Sequence, residues 1–305
     1  MKNAALNGVY ELAKKDSRVI FIGSDLGAGT LDQFKKEMPD RFFMEGVSEA
    51  NLIGIAAGLA KEGFIPYVNT IGVFLTRRCY EQIAIDLCHE NLPVRLLSSG
   101  GGLVYAPLGP THMAVEDLAL MRVLPNMTVT CVCDADEMKR LISNSIDIEG
   151  PVYIRIAKGG DEIVSKDENT FKVGQSILMR EPGDVLFIST GIMTQRALAV
   201  CELLANKGVK AGVLHMHTVK PLDQEKLIEL AKKVKLLVTL EEHTLLAGFG
   251  SAITEVLVDH LKILPRIKRF GLPDCFSSQY GSQEKILNEY DLTAEKIFAD
   301  IIESI

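Results

Sequence analysis

Residues 42–68 read FFMEGVSEANLIGIAAGLAKEGFIPYV, and the order of apolar and polar residues in this stretch decides the fold. A short apolar strand is predicted over Phe42–Glu45, an amphipathic helix over Glu49–Lys61 and a second apolar strand over Ile65–Val68. A strand, a helix and a strand in this order are typical of neighbouring parallel strands in a sheet that helices cover on both faces. The stretch therefore predicts an α/β fold.

The alternation continues on both sides of this stretch. Further strands are predicted over Val19–Gly23, Val94–Leu97, Thr128–Val132 and Val152–Ile156, and further helices over Leu31–Glu37, Leu75–Cys88, Ala114–Arg122 and Ala135–Ser145. After a polar segment punctuated by glycines, the alternation restarts with strands over Val185–Ser189, Val209–Leu214, Leu236–Leu240 and Ile267–Phe270. We therefore predict two α/β domains, residues 1–160 and 183–305, joined by a linker over 161–182.

Length, composition and charge exclude several classes of protein. The 305 residues fit two domains of about 150 residues each, and 47% hydrophobic with 24% charged residues excludes a disordered or fibrous chain. A formal net charge of −7 without a basic block excludes the usual nucleic-acid binder, and no apolar run reaches the roughly 18 residues of a membrane span. Six cysteines without a CxxC pair, and an N-terminus without a secretory segment, lead us to expect a cytoplasmic protein.

Glu49 is the first candidate for a functional side chain. It opens a helix that carries the small residues Gly54, Ala57 and Gly58, which permit close packing against another element. An acidic residue in the first turn is also favourable to the helix dipole without any functional role. This residue alone therefore does not choose between structure and chemistry.

Four blocks of the sequence, in order, resemble the transketolase family. They are Glu45–Ala60, Asn69–Ile83, Gly109–Asn126 with its Gly-Pro-Thr-His and Glu-Asp-Leu-Ala motifs, and Glu241–Asp274. Together they span nearly the whole chain. The resemblance implies a pyrimidine-binding domain over 1–160 that takes thiamine diphosphate as the cofactor, followed by a transketolase C-terminal domain over 183–305.

The resemblance assigns the cofactor site to side chains of the first domain. Glu49 matches the carboxyl group that binds the N1′ nitrogen of the cofactor's aminopyrimidine ring and so activates the cofactor. Phe74 matches the aromatic residue that stacks on that ring. Asp25 and Leu26 match a pair at the thiazolium side and the subunit contact, although a Gly-Ser-Asp loop after a strand is also an ordinary turn.

The edge of this cofactor site departs from the family pattern. Ile71 stands where larger transketolases have a further aromatic residue, and Arg77 lies three positions after Phe74. We predict both as neighbours of the cofactor. The centre of the site is therefore preserved, and its edge is altered.

The same resemblance assigns substrate contacts. His112 matches a histidine that binds or protonates substrate oxygens, and Lys158 aligns with a basic residue that holds a substrate phosphate, although a solvated lysine is an equal alternative. In the predicted substrate site, Leu108 and Gly100 stand where ordinary transketolases have an acidic residue and a histidine. Because a site without its hydrogen-bonding partner discriminates less well for a hydroxyl group, this change disfavours ordinary ketose phosphates as donors.

The diphosphate-binding part that the family needs is not visible in the sequence. There is no Gly-Asp-Gly motif with a following asparagine, the pattern that holds Mg²⁺ against the cofactor's phosphates. We therefore expect a split enzyme, in which a separate N-terminal, diphosphate-binding subunit anchors Mg²⁺ and the diphosphate. The cofactor would lie between the two polypeptides, in an α2β2 assembly, and no metal ligand is predicted in this chain.

The predicted function is the transfer of a two-carbon unit from a ketose or 2-keto donor to an aldehyde or ketone acceptor. Two alternatives use the same cofactor: a pyruvate-using synthase subunit that forms a 1-deoxy-ketose, and an enzyme that modifies a nucleotide-linked ketosugar in a polysaccharide pathway. An alternative of another class is a non-catalytic interaction subunit, against which the intact Glu49 argues. The second domain is expected to build a dimer interface, with structural roles for Glu241–His243, since neighbours on a strand face opposite ways.

Overall fold

A computed structural model describes residues 1–24, 29–166 and 171–305, so Asp25 and Leu26 lie outside the described residues. In chain order the elements are α1 (Lys2–Lys15), β1 (Val19–Gly23), α2 (Asp32–Glu37), β2 (Phe42–Met44), α3 (Glu49–Lys61), β3 (Ile65–Ile71), α4 (Tyr80–Gln82), β4 (Arg95–Ser99), α5 (Asp117–Arg122), β5 (Thr128–Cys131), α6 (Ala135–Ser145), β6 (Val152–Ile156), β7 (Ile177–Arg180), β8 (Val185–Ser189), α7 (Met193–Ala205), β9 (Ala211–His215), β10 (Thr218–Lys220), α8 (Gln224–Ala231), β11 (Leu236–Thr244), α9 (Phe249–His260), β12 (Arg266–Leu272), α10 (Gln283–Glu289) and α11 (Ala294–Ile302). Two π-helical segments, Phe74–Arg78 and Ile83–His89, lie on either side of α4.

The first sheet has seven strands in the order β10-β5-β6-β4-β3-β1-β2. All neighbours are parallel except the edge strand β10, which is antiparallel to β5. The strands β1, β4, β5 and β6 are buried along their whole length. Such strands are continuous apolar runs because helices cover both faces of a parallel sheet. The α/β fold class predicted from residues 42–68 is therefore confirmed.

The second sheet has five strands in the order β12-β11-β8-β9-β7, parallel apart from the antiparallel pair β7 and β9. Strands β7 and β10 are not predicted from the sequence. Both are short edge strands in which half-buried residues interrupt the apolar pattern. Strand β7 lies inside the segment predicted as a linker, and β10 crosses from the second half of the chain to the first sheet. The domain boundaries stay a prediction.

One apolar cluster continues from the first sheet into the second. It contains Ile22 and Val68 from the first sheet and Leu186 and Leu214 from the second, all fully buried. Burial of apolar surface is the dominant favourable term in folding. The two sheets therefore stabilise each other through a shared core.

A buried ion pair between Arg155 and Asp117 lies at the same junction, with side chains only 5% and 0% exposed. The Nε and Nη2 atoms of Arg155 donate to the two carboxylate oxygens of Asp117 at 2.9 and 3.0 Å. The hydroxyl of Tyr153 also donates to Asp117, at 2.6 Å. Arg155 Nη2 donates in addition to the carbonyl oxygens of Ala114 and Glu242, each at 2.9 Å. The pair thus joins the segment after β4 to strand β11 of the second sheet.

None of the helices in the described ranges is long and apolar enough to cross a membrane. The cysteines are all free, and only Cys275 is exposed. Burial raises the pKa of the Cys79 and Cys201 thiols to about 12, so these thiols stay protonated and unreactive at neutral pH.

Candidate active site

The candidate site lies at the carboxyl ends of the parallel strands of the first sheet. Glu49 begins α3 after β2, Phe74 follows β3, and His112 lies in the loop after β4. Ligands bind at this edge of open parallel sheets, because the loops that leave the strands converge there. The order of the strands, β4-β3-β1-β2, places the three segments side by side.

Glu49 is buried in the first turn of α3, with its side chain only 1% exposed. Its Oε2 atom accepts a hydrogen bond from Nη1 of the half-exposed Arg78 at 2.5 Å. Its Oε1 atom is buried and has no hydrogen-bond partner among the described residues. Since a buried polar atom without a partner costs free energy, Oε1 is where an N–H group of a ligand fits.

The ring of Phe74 contacts both Arg78 and His112. The guanidinium carbon of Arg78 is 4.6 Å from the centre of the Phe74 ring. The centre of the His112 ring is 5.2 Å from the same point, in an edge-to-face arrangement. Together with the contact between Arg78 and Glu49, these distances define one continuous cluster of four side chains.

Of two neighbouring arginines, Arg78 contacts Glu49, whereas Arg77, the one predicted from the sequence, does not. Nη2 of Arg77 donates to the carbonyl oxygen of Met113 at 3.2 Å, and its Nε atom contacts the carboxylate of Glu116. Arg77 therefore stabilises the segment that follows His112. Both arginines lie in the π-helical segment Phe74–Arg78, and Arg78, four residues after Phe74, is the one that reaches the buried carboxylate.

His112 is half-buried in the loop of residues 102–114, the His112 loop. Its Nδ1 atom lies 2.9 Å from Oγ1 of Thr111. Gly109 has a φ of 80°, a conformation that favours glycine, and a Cβ at this position would collide with the ring of Tyr280. A residue of the second half therefore packs directly on the turn that carries His112.

The remaining predicted residues lie around this cluster at different depths. Ile71 is half-buried at the end of β3, and Leu108 is 54% exposed on the His112 loop. Gly100 is buried with a φ of 83°, and a Cβ there would collide with the ring of Tyr105. Lys158 is exposed, two residues after β6. Their contacts with a cofactor or substrate stay predictions.

Away from this site, Cys133, Glu137 and His215 place possible metal-ligating atoms within 4.8 Å of one another. Nε2 of His215 is 2.9 Å from Oε2 of Glu137, and its Nδ1 is 2.8 Å from Oγ1 of Thr194. The amide of Cys133 also donates to Oε2 of Glu137. Burial, the largest single influence, raises the pKa of Glu137, but His215, His217 and the amide of Cys133 together outweigh it and lower the pKa to about 2. Because hydrogen bonds already use both ring nitrogens, we assign this cluster a structural role.

Polar side chains at the carboxyl end of strand β11 make hydrogen bonds to neighbouring segments. The Oε2 and Oε1 atoms of Glu241 accept the amides of Phe249 and Gly250 at 2.6 and 2.8 Å, and so cap α9. Nε2 of His243 accepts the amide of Ala119 at 3.2 Å. These contacts are the kind that a buried polar side chain needs in order to be stable.

Two family models match the chain. The pyrimidine-binding domain of transketolase matches residues 1–160, and the C-terminal domain of transketolase matches residues 174–297. The chain is also similar to a solved structure described as a split gene transketolase, inactive beta4 tetramer. The TM-score is 0.89 at 35% identity, over 99% of this chain and 96% of that one.

Two curated relatives are similar over almost the whole chain. The 6-deoxy-6-sulfo-D-fructose transketolase subunit of a Clostridium species is 35% identical over 298 residues, which cover 97% of this chain and 92% of the relative. The relative from Geobacter sulfurreducens, 1-deoxy-D-xylulose-5-phosphate synthase 1, is 36% identical over 97% of this chain, which spans only 47% of that relative. The chain therefore belongs to the transketolase family, a family of transferases.

Proposed function

We propose that this chain is the C-terminal subunit of a split, thiamine-diphosphate-dependent transketolase. It would transfer a two-carbon unit from a ketose or 2-keto donor to an aldehyde or ketone acceptor. The proposal rests on the buried carboxylate of Glu49, whose Oε1 atom lacks a partner in the described part of the chain, beside Phe74 and His112. The transketolase family depends on thiamine diphosphate, and these side chains fit that cofactor.

Glu49 would bind the N1′ nitrogen of the aminopyrimidine through Oε1. Arg78 holds the other oxygen by a charge-assisted hydrogen bond, so the carboxylate is fixed and Oε1 is left to accept. When bound, thiamine diphosphate supplies the carbon nucleophile that takes up the two-carbon unit and passes it on. The part of Glu49 is to hold and exchange a proton at Oε1.

Phe74 would contact the cofactor, and His112 would contact the substrate. Phe74 would stack on the aminopyrimidine by offset ring packing. The guanidinium group of Arg78 lies over the ring of Phe74 and limits how far that ring can rotate. His112 would bind the oxygens of the donor and exchange protons with them, since an imidazole ring can both donate and accept a hydrogen bond. The edge contact between the two rings keeps these functions next to each other.

The donor is proposed from Leu108 on the His112 loop and from Gly100, which lies just before that loop. Leu108 and Gly100 carry no side-chain group that binds a sugar hydroxyl, so we propose a donor without the hydroxyl that ordinary transketolases recognise there. Pyruvate meets this condition, and the similarity to 1-deoxy-D-xylulose-5-phosphate synthase favours it. A ketose such as 6-deoxy-6-sulfo-D-fructose is favoured by the other relative. A nucleotide-linked ketosugar remains the alternative acceptor.

We also propose an N-terminal, diphosphate-binding partner that anchors Mg²⁺ and the phosphates, in a cytoplasmic α2β2 assembly. The similar tetramer of beta subunits is described as inactive, which supports dependence on a second kind of subunit. In this assembly Asp25 and Leu26 would lie at the subunit contact, Ile71 and Arg77 at the edge of the cofactor, and Lys158 at an anionic group of the substrate.

Coexpression of the chain with a diphosphate-binding subunit encoded beside it tests the proposal. We expect no turnover and only weak binding of thiamine diphosphate by the chain alone, because the diphosphate and Mg²⁺ would lack their ligands. The assembled pair should consume a donor in the presence of Mg²⁺ and an aldehyde. Parallel assays with a ketose phosphate, 6-deoxy-6-sulfo-D-fructose and pyruvate identify that donor.

Two outcomes would contradict this proposal in different ways. Micromolar binding of thiamine diphosphate by the chain alone would contradict the split arrangement. If both subunits fold and associate but consume none of the three donors, a non-catalytic interaction subunit becomes the better interpretation.

A further inference from the structure

We propose that Glu242, in the second half of the chain, is a positioning residue for the His112 loop. The loop closes on itself, since the amides of Gly102 and Ala114 each donate to the carbonyl oxygen of the other, at 2.9 and 3.0 Å. His112 lies two residues before this closing pair. The position of the pair therefore sets the position of His112 relative to Glu49.

The carboxylate of Glu242 lies at the base of this loop. Its Oε1 atom accepts the amide of Leu103 at 2.9 Å and the side-chain amide of Gln283 at 2.6 Å. Gly102 has a φ of 66°, and a Cβ there would collide with the carboxyl group of Glu242. The glycine thus lets the loop backbone approach the carboxylate closely.

The other end of the loop is held by the same strand, β11. The amide of Thr244 donates to the carbonyl oxygen of Val115 at 2.8 Å. The Nη2 atom of Arg155 donates hydrogen bonds to the carbonyl oxygens of both Ala114 and Glu242, each at 2.9 Å. Strand β11 therefore holds the loop at both ends. The second half, expected to build a dimer interface, would also orient the segment that serves the substrate.

Glu242 is only 3% exposed, so its carboxyl group carries a desolvation cost that some interaction must offset. A buried carboxylate is costly unless it is paired and hydrogen-bonded, and burial raises the pKa of Glu242 while Arg155 acts in the opposite direction. An apolar residue of similar volume would fill the space at a lower desolvation cost. What the carboxylate adds is an acceptor for the side chain of Gln283 and for the amide of Leu103, and the second of these hydrogen bonds holds the loop.

The test compares variants of the chain assembled with its partner subunit. Glu242→Leu removes the acceptor for Leu103, whereas Glu242→Gln keeps it. Because a small displacement of a reacting group is costly, we expect Glu242→Leu to lower kcat by about 10- to 100-fold. It should also speed deuterium exchange at the amides of residues 102–114, and it should leave thiamine diphosphate binding unchanged. Glu242→Gln should keep both kcat and the protection of these amides from exchange close to their wild-type values.

Glu241→Asp is the matched control, because Glu241 faces away from the loop and caps α9. This variant should lower Tm without changing deuterium exchange in the His112 loop. A general loss of stability would affect both control and test variants alike. A local loss in Glu242→Leu would therefore identify positioning.

Unchanged exchange of the loop in Glu242→Leu would overturn the proposal, and so would a Gln variant as impaired as the Leu variant. If Glu242→Leu does not fold, Glu242→Asp decides by the same two measurements, since it keeps the charge beside Arg155 but is too short to reach Leu103. The kcat measurement rests on the proposed function, whereas amide exchange does not. A wild-type complex without transfer activity would thus overturn the proposed function and leave the loop contact testable.

Discussion

Replacing Glu49 with glutamine should lower the turnover of the assembled enzyme by about 10²- to 10⁴-fold, the usual contribution of a positioned acid or base. No other carboxylate joins the cluster of Phe74, Arg78 and His112 among the described contacts, so nothing replaces the proton carrier. The fold should persist, because the half-exposed Arg78 can turn to solvent when it loses its charged partner. Donor consumption and Tm are the two measurements.

Glu62→Gln is the matched control for this substitution. Glu62 is exposed and follows the last residue of the same helix, α3, so its replacement should change neither turnover nor Tm. Near-normal turnover of Glu49→Gln would remove this residue from the chemistry. The main support for the proposed function would fall with it.

Replacing Arg155 with methionine should produce the largest loss of stability, about 3–5 kcal/mol in the free energy of unfolding. The substitution removes the cationic partner of Asp117, whose side chain is 0% exposed, and leaves it with the hydrogen bond from the hydroxyl of Tyr153. A loss of this size lowers Tm by roughly 10 °C in a chain with domains of this length. Scanning calorimetry of the purified chain measures the change.

Two further variants distinguish the loss of the buried ion pair from the loss of any charged side chain. Arg155→Met combined with Asp117→Leu should recover much of the loss, because apolar residues often replace a buried pair without cost. Lys235→Met breaks an exposed pair, in which Lys235 lies 3.0 Å from Asp184, and should leave Tm close to the wild-type value. If Arg155→Met behaves like Lys235→Met, the buried pair does not stabilise the fold.

The inner strands could be predicted from the sequence because burial on both faces makes them continuous apolar runs. Val19–Gly23, Val152–Ile156 and Val185–Ser189 were predicted with the ends that the structure has. The edge strands β7 and β10 could not be found in this way. Their pairing with a distant partner, rather than their composition, defines them as strands.

The candidate site was predictable to the extent that it rests on motifs. Glu49, Phe74 and His112 were chosen from family motifs, and the structure places them in one cluster. Arg78 and Glu242 were missed as site residues. The first depends on a contact with Glu49 across 29 residues of sequence and the second on a contact across 139, and local periodicity shows neither.

The antiparallel strand β10 has a consequence for any attempt to divide the chain. It pairs with β5, and the amide of Cys131 donates to the carbonyl oxygen of His217 just before it, at 2.8 Å. A fragment that ends before residue 161 would lose this covering strand, and an open strand edge recruits other chains into aggregates. Proteolytic or recombinant separation would thus yield an aggregation-prone fragment and not an autonomous domain. The reason is that a strand of the second half belongs to the sheet of the first half.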